Sequence, residues 1–404
     1  MRLRFSQFAA ATLGLWLLSP ARGAAEEPPE PAAPPLDLAS FHHTQAGLIA
    51  TKDAASITID PGLEPSVDQL LAAADPQWGG AVLAEVKSGK ILAFSQYRRT
   101  GEPRYQELAT RLFPSASVFK LVTTAALLEH TPVTLHTRVC VSGGEHGIAR
   151  RHLVAPNRGP KGGVVQCLPF SRALGLSVNA AYAQLVTRYL TRADLQGTVD
   201  RFGFNQPLAF DAPALLGKVD LPSDDLQFAR TAIGFENTEL TVLGATAISL
   251  MIAREGKQVP LRLLANDAGA EPEKPTRILR ATTAHRIAHM MELTVHGGTA
   301  LSSFTDPQTR RSYLADLRVA AKTGTLKQEG RSQTVSWFTG FAPARNPKVV
   351  VTVMLENGPH FRAKAADVAR DLLRVYFSDH RGISAPTQRA QQVANGAALT
   401  ADSR

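Results

Sequence analysis

Two short apolar runs flank the polar tetrapeptide KSGK in the stretch GGAVLAEVKSGKILAFSQY, residues 79–97. Apolar runs of this length around a glycine-containing turn are typical of a β-hairpin, with Gly89 at the turn. Far along the chain, residues 335–343 (VSWFTGFAP) and 348–358 (KVVVTVMLENG) are rich in β-branched and aromatic residues, which predicts two more strands. The segment VAAKTGTL, residues 319–326, is predicted to be a neighbouring strand.

Between these strands, apolar residues recur every three to four positions, as expected for helices that bury one face. The segments with this period are 117–130, 178–191, 241–255 and 282–295. A final amphipathic segment, AKAADVARDLLRVYF, follows the C-terminal strands. Strands at both ends with helices between them predict an α+β fold, in which one mainly antiparallel sheet is closed by N- and C-terminal strands and covered by helices.

The N-terminal sequence has the pattern of a secretory signal peptide. A positive head with Arg2 and Arg4 precedes an apolar run at 8–18 and small residues at 21–25. The apolar run is too short to cross a bilayer, which requires roughly 20 residues. We therefore predict a signal peptide over residues 1–25, export to the periplasm or cell envelope, and no transmembrane anchor after cleavage.

The remaining sequence divides into three predicted parts. Residues 26–54 begin with EEPPEPAAPPLDLAS and are predicted to be a proline-rich linker. Residues 381–404 are polar and rich in small residues, which predicts a flexible tail. Residues 55–380 show no internal repeat and no second linker, so they are expected to form one large domain.

Basic residues outnumber acidic ones, and the net charge is +9. A basic surface suits an anionic polymer, either nucleic acid or an acidic cell wall. No Lys/Arg-rich run with interleaved aromatic residues is present, so nucleic-acid binding is not expected. The 11 histidines show no metal-ligand spacing, and we expect neither a metal nor another cofactor.

The chain contains two cysteines, Cys140 and Cys167. In an exported protein such a pair is able to oxidise, and a disulfide would stabilise the fold by about 3–4 kcal/mol in the chain-entropy model. Spacing does not decide between a disulfide and two free thiols. Neither cysteine has a CxxC or HxxxH partner, which argues against a zinc site.

The first candidate for catalytic chemistry lies in FPSASVFKLVTTAALLE, residues 113–129, where Ser117 and Lys120 begin an apolar helical pattern. A spacing of three places both side chains on one helical face. A lysine among apolar neighbours loses hydration, which lowers its pKa and favours a neutral amine that could activate the serine. On its own, however, this pair is more typical of an N-capping serine beside a surface lysine.

Two further motifs change that balance. GLSVNAAYAQL, residues 175–185, contains Ser177, able to relay a proton, and Asn179, whose amide could orient substrate and lysine. AAKTGTL contains Lys322, Thr323, Gly324 and Thr325. A strand of this kind offers backbone pairing to an extended peptide, its glycine allows close approach, and its lysine and hydroxyls could bind a carboxylate. The order Ser-x-x-Lys, Ser-x-Asn, Lys-Thr-Gly is the signature of penicillin-binding proteins and related serine β-lactamases.

The chain thus resembles the transpeptidase domain of penicillin-binding proteins over about residues 55–378. Segments beyond the three motifs share this resemblance, including SITIDPGLEPSVDQLL, FGFNQPLAFD, AIGFENTELTVLGATAISLMIAREG, VHGGTA and KTGT followed by SWFTGFAP. The resemblance implies a β-lactamase/transpeptidase-like fold, with a five-stranded sheet and an all-helical subdomain. The chain has Ala116 before the candidate nucleophile and Ala321 before the third-motif lysine, where the family often has glycine.

Carried over residue by residue, the resemblance implies a role for each motif position. Ser117 would be the acylated nucleophile and Lys120 its base, while Ser177, assisted by Asn179, would pass a proton to the leaving amine. Lys322, Thr323 and Thr325 would bind the carboxylate of the donor peptide beside Gly324. The backbone N–H groups of Ser117 and Thr325 would form the oxyanion hole.

These roles imply a D,D-transpeptidase that cross-links peptidoglycan stem peptides, is inhibited covalently by β-lactams and works with other cell-wall synthesis proteins. A D,D-carboxypeptidase would differ only in using water as the acceptor. A serine β-lactamase is disfavoured, because no glutamate stands four residues before an asparagine and no Tyr-Gly-Asn occurs. A non-catalytic β-lactam or muropeptide sensor would need membrane spans, which we do not find after residue 30.

Overall fold

The computed structural model describes residues 36–44, 47–49, 57–145, 147–156, 165–265, 275–327, 333–359 and 362–379. The predicted signal peptide (1–25) and tail (381–404) lie outside the described residues.

Short strands connect most of the helices, and the longer strands lie near the two ends of the described chain. In chain order the strands are β1 His42–Thr44, β2 Gly47–Ile49, β3 Trp78–Glu85, β4 Ile91–Arg98, β5 Phe113–Pro114, β6 Arg138–Val141, β7 Gln166–Pro169, β8 Gly217–Val219, β9 Thr238–Leu240, β10 Lys257–Gln258, β11 Thr276–Arg277, β12 Ala320–Lys327, β13 Thr334–Ala342 and β14 Val349–Asn357.

The helices lie mainly between β4 and β12. In chain order they are α1 Glu64–Ala74, α2 Gln106–Thr110, α3 Lys120–His130, α4 Phe170–Gly175, α5 Asn179–Tyr189, α6 Arg192–Phe202, α7 Asp225–Ala232, α8 Val242–Ala253, α9 Ala281–Gly297, α10 Leu301–Phe304 and α11 Ala365–Asp379. The helices predicted from periodicity correspond to α3, α5, α8, α9 and α11.

The central sheet has five strands in the spatial order β12-β13-β14-β3-β4, and every neighbouring pair is antiparallel. Gly89 lies in the turn between β3 and β4 with a φ of +76°, a conformation that favours glycine. The N-terminal hairpin therefore pairs with the C-terminal strand β14, and the predicted α+β fold is confirmed. Strand β12 forms one edge of the sheet.

Both faces of the sheet are covered by helices. In β14, Val350 and Met354 belong to a hydrophobic cluster that includes residues of α8, whereas Val351 and Val353 belong to a second cluster with residues of α1 and α11. Every residue of β14 is buried. A strand buried on both faces needs no polar alternation, which explains its nearly unbroken apolar sequence.

The remaining helices form the predicted all-helical part. Helix α3 contacts α5, α6 and α9, while α5 contacts α7 and α4 contacts α9. Helix α6 starts after Thr191, whose hydroxyl accepts from the Asp194 N–H at 3.1 Å, and α8 starts after Thr241, which accepts from the Gly244 N–H at 2.8 Å. Such caps satisfy N–H groups that have no partner within the helix. Strand β12 contacts α9 and the turn Ala116–Phe119 that leads into α3.

A two-stranded ribbon, β6 with β7, lies beside the helical part. The strands are antiparallel with Cys140 directly opposite Cys167, and a disulfide joins the two side chains. The Cys140 carbonyl accepts a hydrogen bond from Gln184 Nε2 at 3.1 Å, which attaches the ribbon to α5.

Part of the predicted linker packs onto the domain. Leu38–Ser40 form a 3₁₀ turn, β1 and β2 pair, and the side chains of Leu38 and Phe41 are buried. The ring of Phe41 lies 6.5 Å from that of Tyr105. The linker prediction therefore does not hold here, because apolar side chains in this segment bury against the core. The more proline-rich residues 26–35 lie outside the described part of the chain.

Glu64, in the first turn of α1, is completely buried. Its Oε2 accepts from the Phe94 N–H at 3.0 Å, and burial together with the nearby Asp68 raises the pKa of its carboxyl group to about 8. The folded protein thus holds this group in its neutral form at pH 7, although the unfolded chain would ionise it.

We expect Glu64→Gln to stabilise the protein at neutral pH. A carboxyl group whose pKa is raised on folding contributes most below its unfolded pKa near 4.5, and this contribution is lost as the pH rises toward 8. At pH 7, keeping the buried group protonated lowers the free energy of unfolding by about 3 kcal/mol, at about 1.4 kcal/mol for each pH unit above 4.5. An amide does not ionise and avoids this loss. Urea unfolding at pH 5, 7 and 8 should show a gain for Glu64→Gln that grows with pH.

Glu102→Gln is the matched control, since Glu102 is exposed. Its unfolding free energy should follow that of the wild type at each pH. A Glu64→Gln variant that is equally or less stable than the wild type at pH 8 would contradict the buried neutral carboxyl group.

Candidate active site

Ser117 lies in a 3₁₀ turn, Ala116–Phe119, that leads directly into α3 at Lys120. A 3₁₀ turn has three residues per turn, so residues i and i+3 lie one above the other. Ser117 Oγ and Lys120 Nζ are consequently 3.2 Å apart. Ser117 is 7% exposed and lies inside the turn, whose N-cap position is Ser115, so the alternative of an N-capping serine does not describe it.

Lys120 is completely buried and makes four hydrogen-bond contacts. Its Nζ lies 2.9 Å from the Ser177 carbonyl, 3.1 Å from Ser177 Oγ and 2.6 Å from Asn179 Oδ1, in addition to Ser117 Oγ. Two of these partners are carbonyl oxygens, which only accept, and two are hydroxyls, which also donate. A neutral amine can give its two N–H groups to the carbonyls and direct its lone pair at a hydroxyl.

Burial lowers the pKa of Lys120 well below its ordinary value of 10.5, and the positive charge of Lys322 lowers it further. The ring of Tyr182 lies 5.3 Å from Nζ and favours the charged form, by about 2 kcal/mol for a contact shielded from water. Burial has the larger effect, so the neutral amine is favoured.

Ser177 lies between the two lysines. Its Oγ is 3.1 Å from Lys120 Nζ and 3.1 Å from Lys322 Nζ. Ser177 has a φ of +55°, in the left-handed region that non-glycine residues seldom adopt. This conformation allows its carbonyl and its hydroxyl to contact the same amine, a position suited to passing a proton between groups.

Asn179 is the first residue of α5, and its amide has partners at both ends. Nδ2 donates to the Gly144 carbonyl at 3.2 Å and the Glu145 carbonyl at 2.9 Å, while Oδ1 accepts from Lys120 Nζ. The two loop carbonyls thereby fix which end of the amide faces Lys120.

Lys322, Thr323, Gly324 and Thr325 lie consecutively on the edge strand β12. Lys322 is completely buried, its Nζ donates to the Thr323 carbonyl at 2.6 Å, and burial lowers its pKa to about 7. Thr323 is half-buried and Thr325 is exposed. The strand thus provides a buried lysine amine that is about half protonated at pH 7 and threonine hydroxyls that a ligand can reach.

Gly324 brings β12 against the nucleophile turn. A Cβ at this position would lie 3.1 Å from the Cβ of Ala116 and 3.3 Å from Cγ2 of Val118, the residues on either side of Ser117. Ala116 itself has a φ of +46°, so the residue in the place of the family's usual glycine adopts a left-handed conformation. This conformation costs a non-glycine residue roughly 1 kcal/mol of backbone strain.

Thr299 joins this group, although sequence reasoning gave it no role. Its hydroxyl forms a hydrogen bond with that of Thr323, and its N–H donates to the Gly175 carbonyl at 3.1 Å. The segment VHGGTA signalled this position as part of the resemblance without indicating that its hydroxyl reaches β12. Within the described ranges, no group of three or more His, Cys, Asp or Glu side chains could hold a metal ion.

The motif residues therefore converge at one place, where α3, the start of α5 and strand β12 meet. The model of the penicillin-binding protein transpeptidase domain matches residues 79–374, which include all three motifs. The chain belongs to this family.

Two curated relatives that match most of the chain are distant in sequence. The peptidoglycan D,D-transpeptidase PbpA of Mycobacterium tuberculosis is 26% identical over 319 residues, which cover 73% of this chain and 61% of PbpA. The peptidoglycan D,D-transpeptidase FtsI of Buchnera aphidicola is 24% identical over 326 residues, covering 74% of this chain and 53% of FtsI. The chain thus spans between half and two thirds of the length of these relatives.

The solved structures share the fold. Penicillin-binding protein A from Mycobacterium tuberculosis, as a ceftriaxone acyl-enzyme complex, superposes with a TM-score of 0.62 at 22% identity, over 79% of each chain. No helix in the described part of the present chain is long and apolar enough to cross a membrane.

Proposed function

We propose that this protein is a serine D,D-transpeptidase that acts on peptidoglycan stem peptides ending in D-Ala-D-Ala and that is acylated by β-lactams. The observation that carries the proposal is the environment of Lys120 Nζ, which lies within 3.2 Å of Ser117 Oγ, Ser177 Oγ and Asn179 Oδ1. The names of the curated relatives and the acyl-enzyme form of the solved neighbour support the same chemistry.

In the first step, Ser117 Oγ attacks the carbonyl carbon of the penultimate D-Ala while its proton passes to Lys120 Nζ. Backbone N–H groups of Ser117 and Thr325 stabilise the negative oxygen of the tetrahedral intermediate. The C–N bond to the terminal D-Ala then breaks, and the proton on Lys120 reaches the leaving amine through Ser177 Oγ. The product is an ester on Ser117 and free D-Ala.

In the second step, an amine attacks the ester carbonyl and Lys120 accepts its proton. The Ser117–acyl bond breaks, the proton returns to Ser117 Oγ, and a new amide cross-link is released. Water in place of the amine would give the D,D-carboxypeptidase reaction with the same groups. Lys322, Thr323 and Thr325 bind the donor carboxylate, and protonated Lys322 provides the charge complement.

The proposed location is the cell envelope after export, where peptidoglycan and other cell-wall synthesis proteins would be the partners. The signal-peptide pattern of residues 1–25 and the peptidoglycan-directed names of the relatives support it. The predicted domain, 55–380, contains the matched family region, residues 79–374, and the segment with the buried side chains of Leu38 and Phe41 packs onto it.

Intact-mass measurement with a fluorescent penicillin tests the proposal. We expect a stoichiometric mass increase that persists for hours, and peptide mapping should place it on Ser117. Rapid loss of the adduct would instead indicate a β-lactamase, and the absence of any adduct would contradict the proposal. A D,D-stem peptide with and without an amine acceptor then separates transfer from hydrolysis, since transfer gives a cross-linked product and hydrolysis only a shortened peptide.

A further inference from the structure

The loop that connects β6 to β7 contacts the side-chain amide of Asn179. The disulfide joins Cys140 and Cys167 directly across the ribbon, and the loop leaves β6 after Val141. Three residues beyond this strand, the Gly144 carbonyl accepts from Asn179 Nδ2, as does the Glu145 carbonyl. The disulfide is therefore four residues from an atom that holds Asn179.

The orientation of Asn179 depends on those two carbonyls. An amide has a donating end and an accepting end, and only the accepting Oδ1 can receive an N–H from Lys120. If the loop carbonyls moved away, the amide would lose the partners that keep Nδ2 turned from the lysine. The Asn179 rotamer that makes the 2.6 Å contact between Oδ1 and Lys120 Nζ would then be one of several that the side chain adopts.

Beyond Glu145, the described part of the loop is held by the buried side chains of Ile148 and His152 and by further hydrogen bonds. Arg230 Nε donates to the Ile148 carbonyl at 3.1 Å, and the Ala149 N–H donates to His152 Nδ1 at 3.0 Å. Both lie at least four residues beyond Gly144, on the side of the loop away from Cys140. At the base of the loop, the restraint is the disulfide together with the ribbon and its bond to Gln184.

We propose that the Cys140–Cys167 disulfide is a positioning element of the active site, which holds the Gly144 and Glu145 carbonyls so that Asn179 presents Oδ1 to Lys120. This inference rests on the proposed function of Ser117. Cys167 is exposed, so a small dithiol can reach the bond. Reduction would convert the disulfide to two thiols, while the dithiol supplies two electrons and two protons and becomes a disulfide itself.

A double-mutant cycle tests the proposal on the full chain. The first change is Cys140→Ser with Cys167→Ser, or reduction of the wild type with dithiothreitol, and the second is Asn179→Ala. We measure the second-order rate constant of penicillin acylation for all four forms at pH 5–9. Removing the disulfide should slow acylation about tenfold when Asn179 is present and by less than twofold in the Asn179→Ala background, because groups that act through one another are not additive.

A purely structural disulfide would give equal losses in both backgrounds, and this result would overturn the proposal. Loss of the Asn179 contact also removes a hydrogen bond that favours the charged amine, so the acid limb of the pH–rate profile should move to lower pH in the variant without the disulfide. An unchanged profile would likewise contradict the inference.

Leu373→Ala is the stability control. Leu373 is buried in α11 against the opposite face of the sheet, so its replacement lowers the melting temperature while leaving the acylation rate unchanged. If the serine variants do not fold, dithiothreitol reduction of the folded wild type and of Asn179→Ala completes the same cycle. An oxidised wild type that penicillin does not acylate refutes the proposed function, whereas additive losses in an acylated enzyme refute this inference alone.

Discussion

Lys120→Met should slow acylation of Ser117 by about 10³-fold or more at pH 7, because the serine loses the amine that accepts its proton. Methionine is close to lysine in size and fits a buried site, but it has no lone pair of comparable basicity. The measurement is the second-order rate constant for penicillin acylation, followed by intact mass. Ser117→Ala, which cannot form the adduct, defines the background.

Lys87→Met is the matched control for Lys120→Met, since it makes the same chemical change at an exposed position in the β3–β4 turn. It should acylate at the wild-type rate, and thermal unfolding should show that both variants are folded. A folded Lys120→Met variant that retains a tenth or more of the wild-type rate would rule out Lys120 as the base. Its hydrogen bonds to Ser177 and Asn179 would then serve only to hold the site together.

Much of the fold could be predicted from the sequence because its signals are local. The Gly89 hairpin and the apolar period of α11 each reflect contacts between residues that are close in sequence or lie on one face. The buried part of the predicted linker could not be predicted in this way. Leu38 and Phe41 stand in a proline-rich context, and their burial depends on a pocket made by residues distant in the chain, such as Tyr105.

The same distinction applies to the site. Ser117, Lys120 and Lys322 were named from motifs, and the structure places both lysine amines against Ser177 Oγ and Ser117 Oγ against Lys120. The Gly144 and Glu145 carbonyls were not named, because a backbone carbonyl has no residue-type signature. Thr299 was quoted within VHGGTA, but only the tertiary structure brings its hydroxyl to Thr323.

Gly234 is a further position that the motifs do not reveal, and it bears directly on the nucleophile. It follows α7 with a φ of +85°, and a Cβ there would lie 1.8 Å from the carbonyl oxygen of Ala116. Because the contact is with backbone rather than with a flexible side chain, the turn that carries Ser117 would have to move.

Gly234→Ala is therefore expected to lower the free energy of unfolding by about 3 kcal/mol, the sum of an overpacked contact and a left-handed alanine. It should also slow penicillin acylation by at least tenfold in the molecules that remain folded, since small displacements of a nucleophile have large effects on rate. Urea unfolding and acylation at a temperature below the melting transition measure the two effects separately.

Gly197→Ala gives the opposite expectation for the same substitution. Gly197 lies within α6, is exposed, and has no atom within 4 Å of an added Cβ, so alanine should stabilise the helix by up to about 1 kcal/mol and leave acylation unchanged. Equal effects of the two variants on stability would mean that the contact with Ala116 relaxes at little cost. A Gly234→Ala variant that is destabilised but acylates normally would show that the turn can shift without moving Ser117 relative to Lys120. The position of the nucleophile would then depend on α3 rather than on the contact between Gly234 and Ala116.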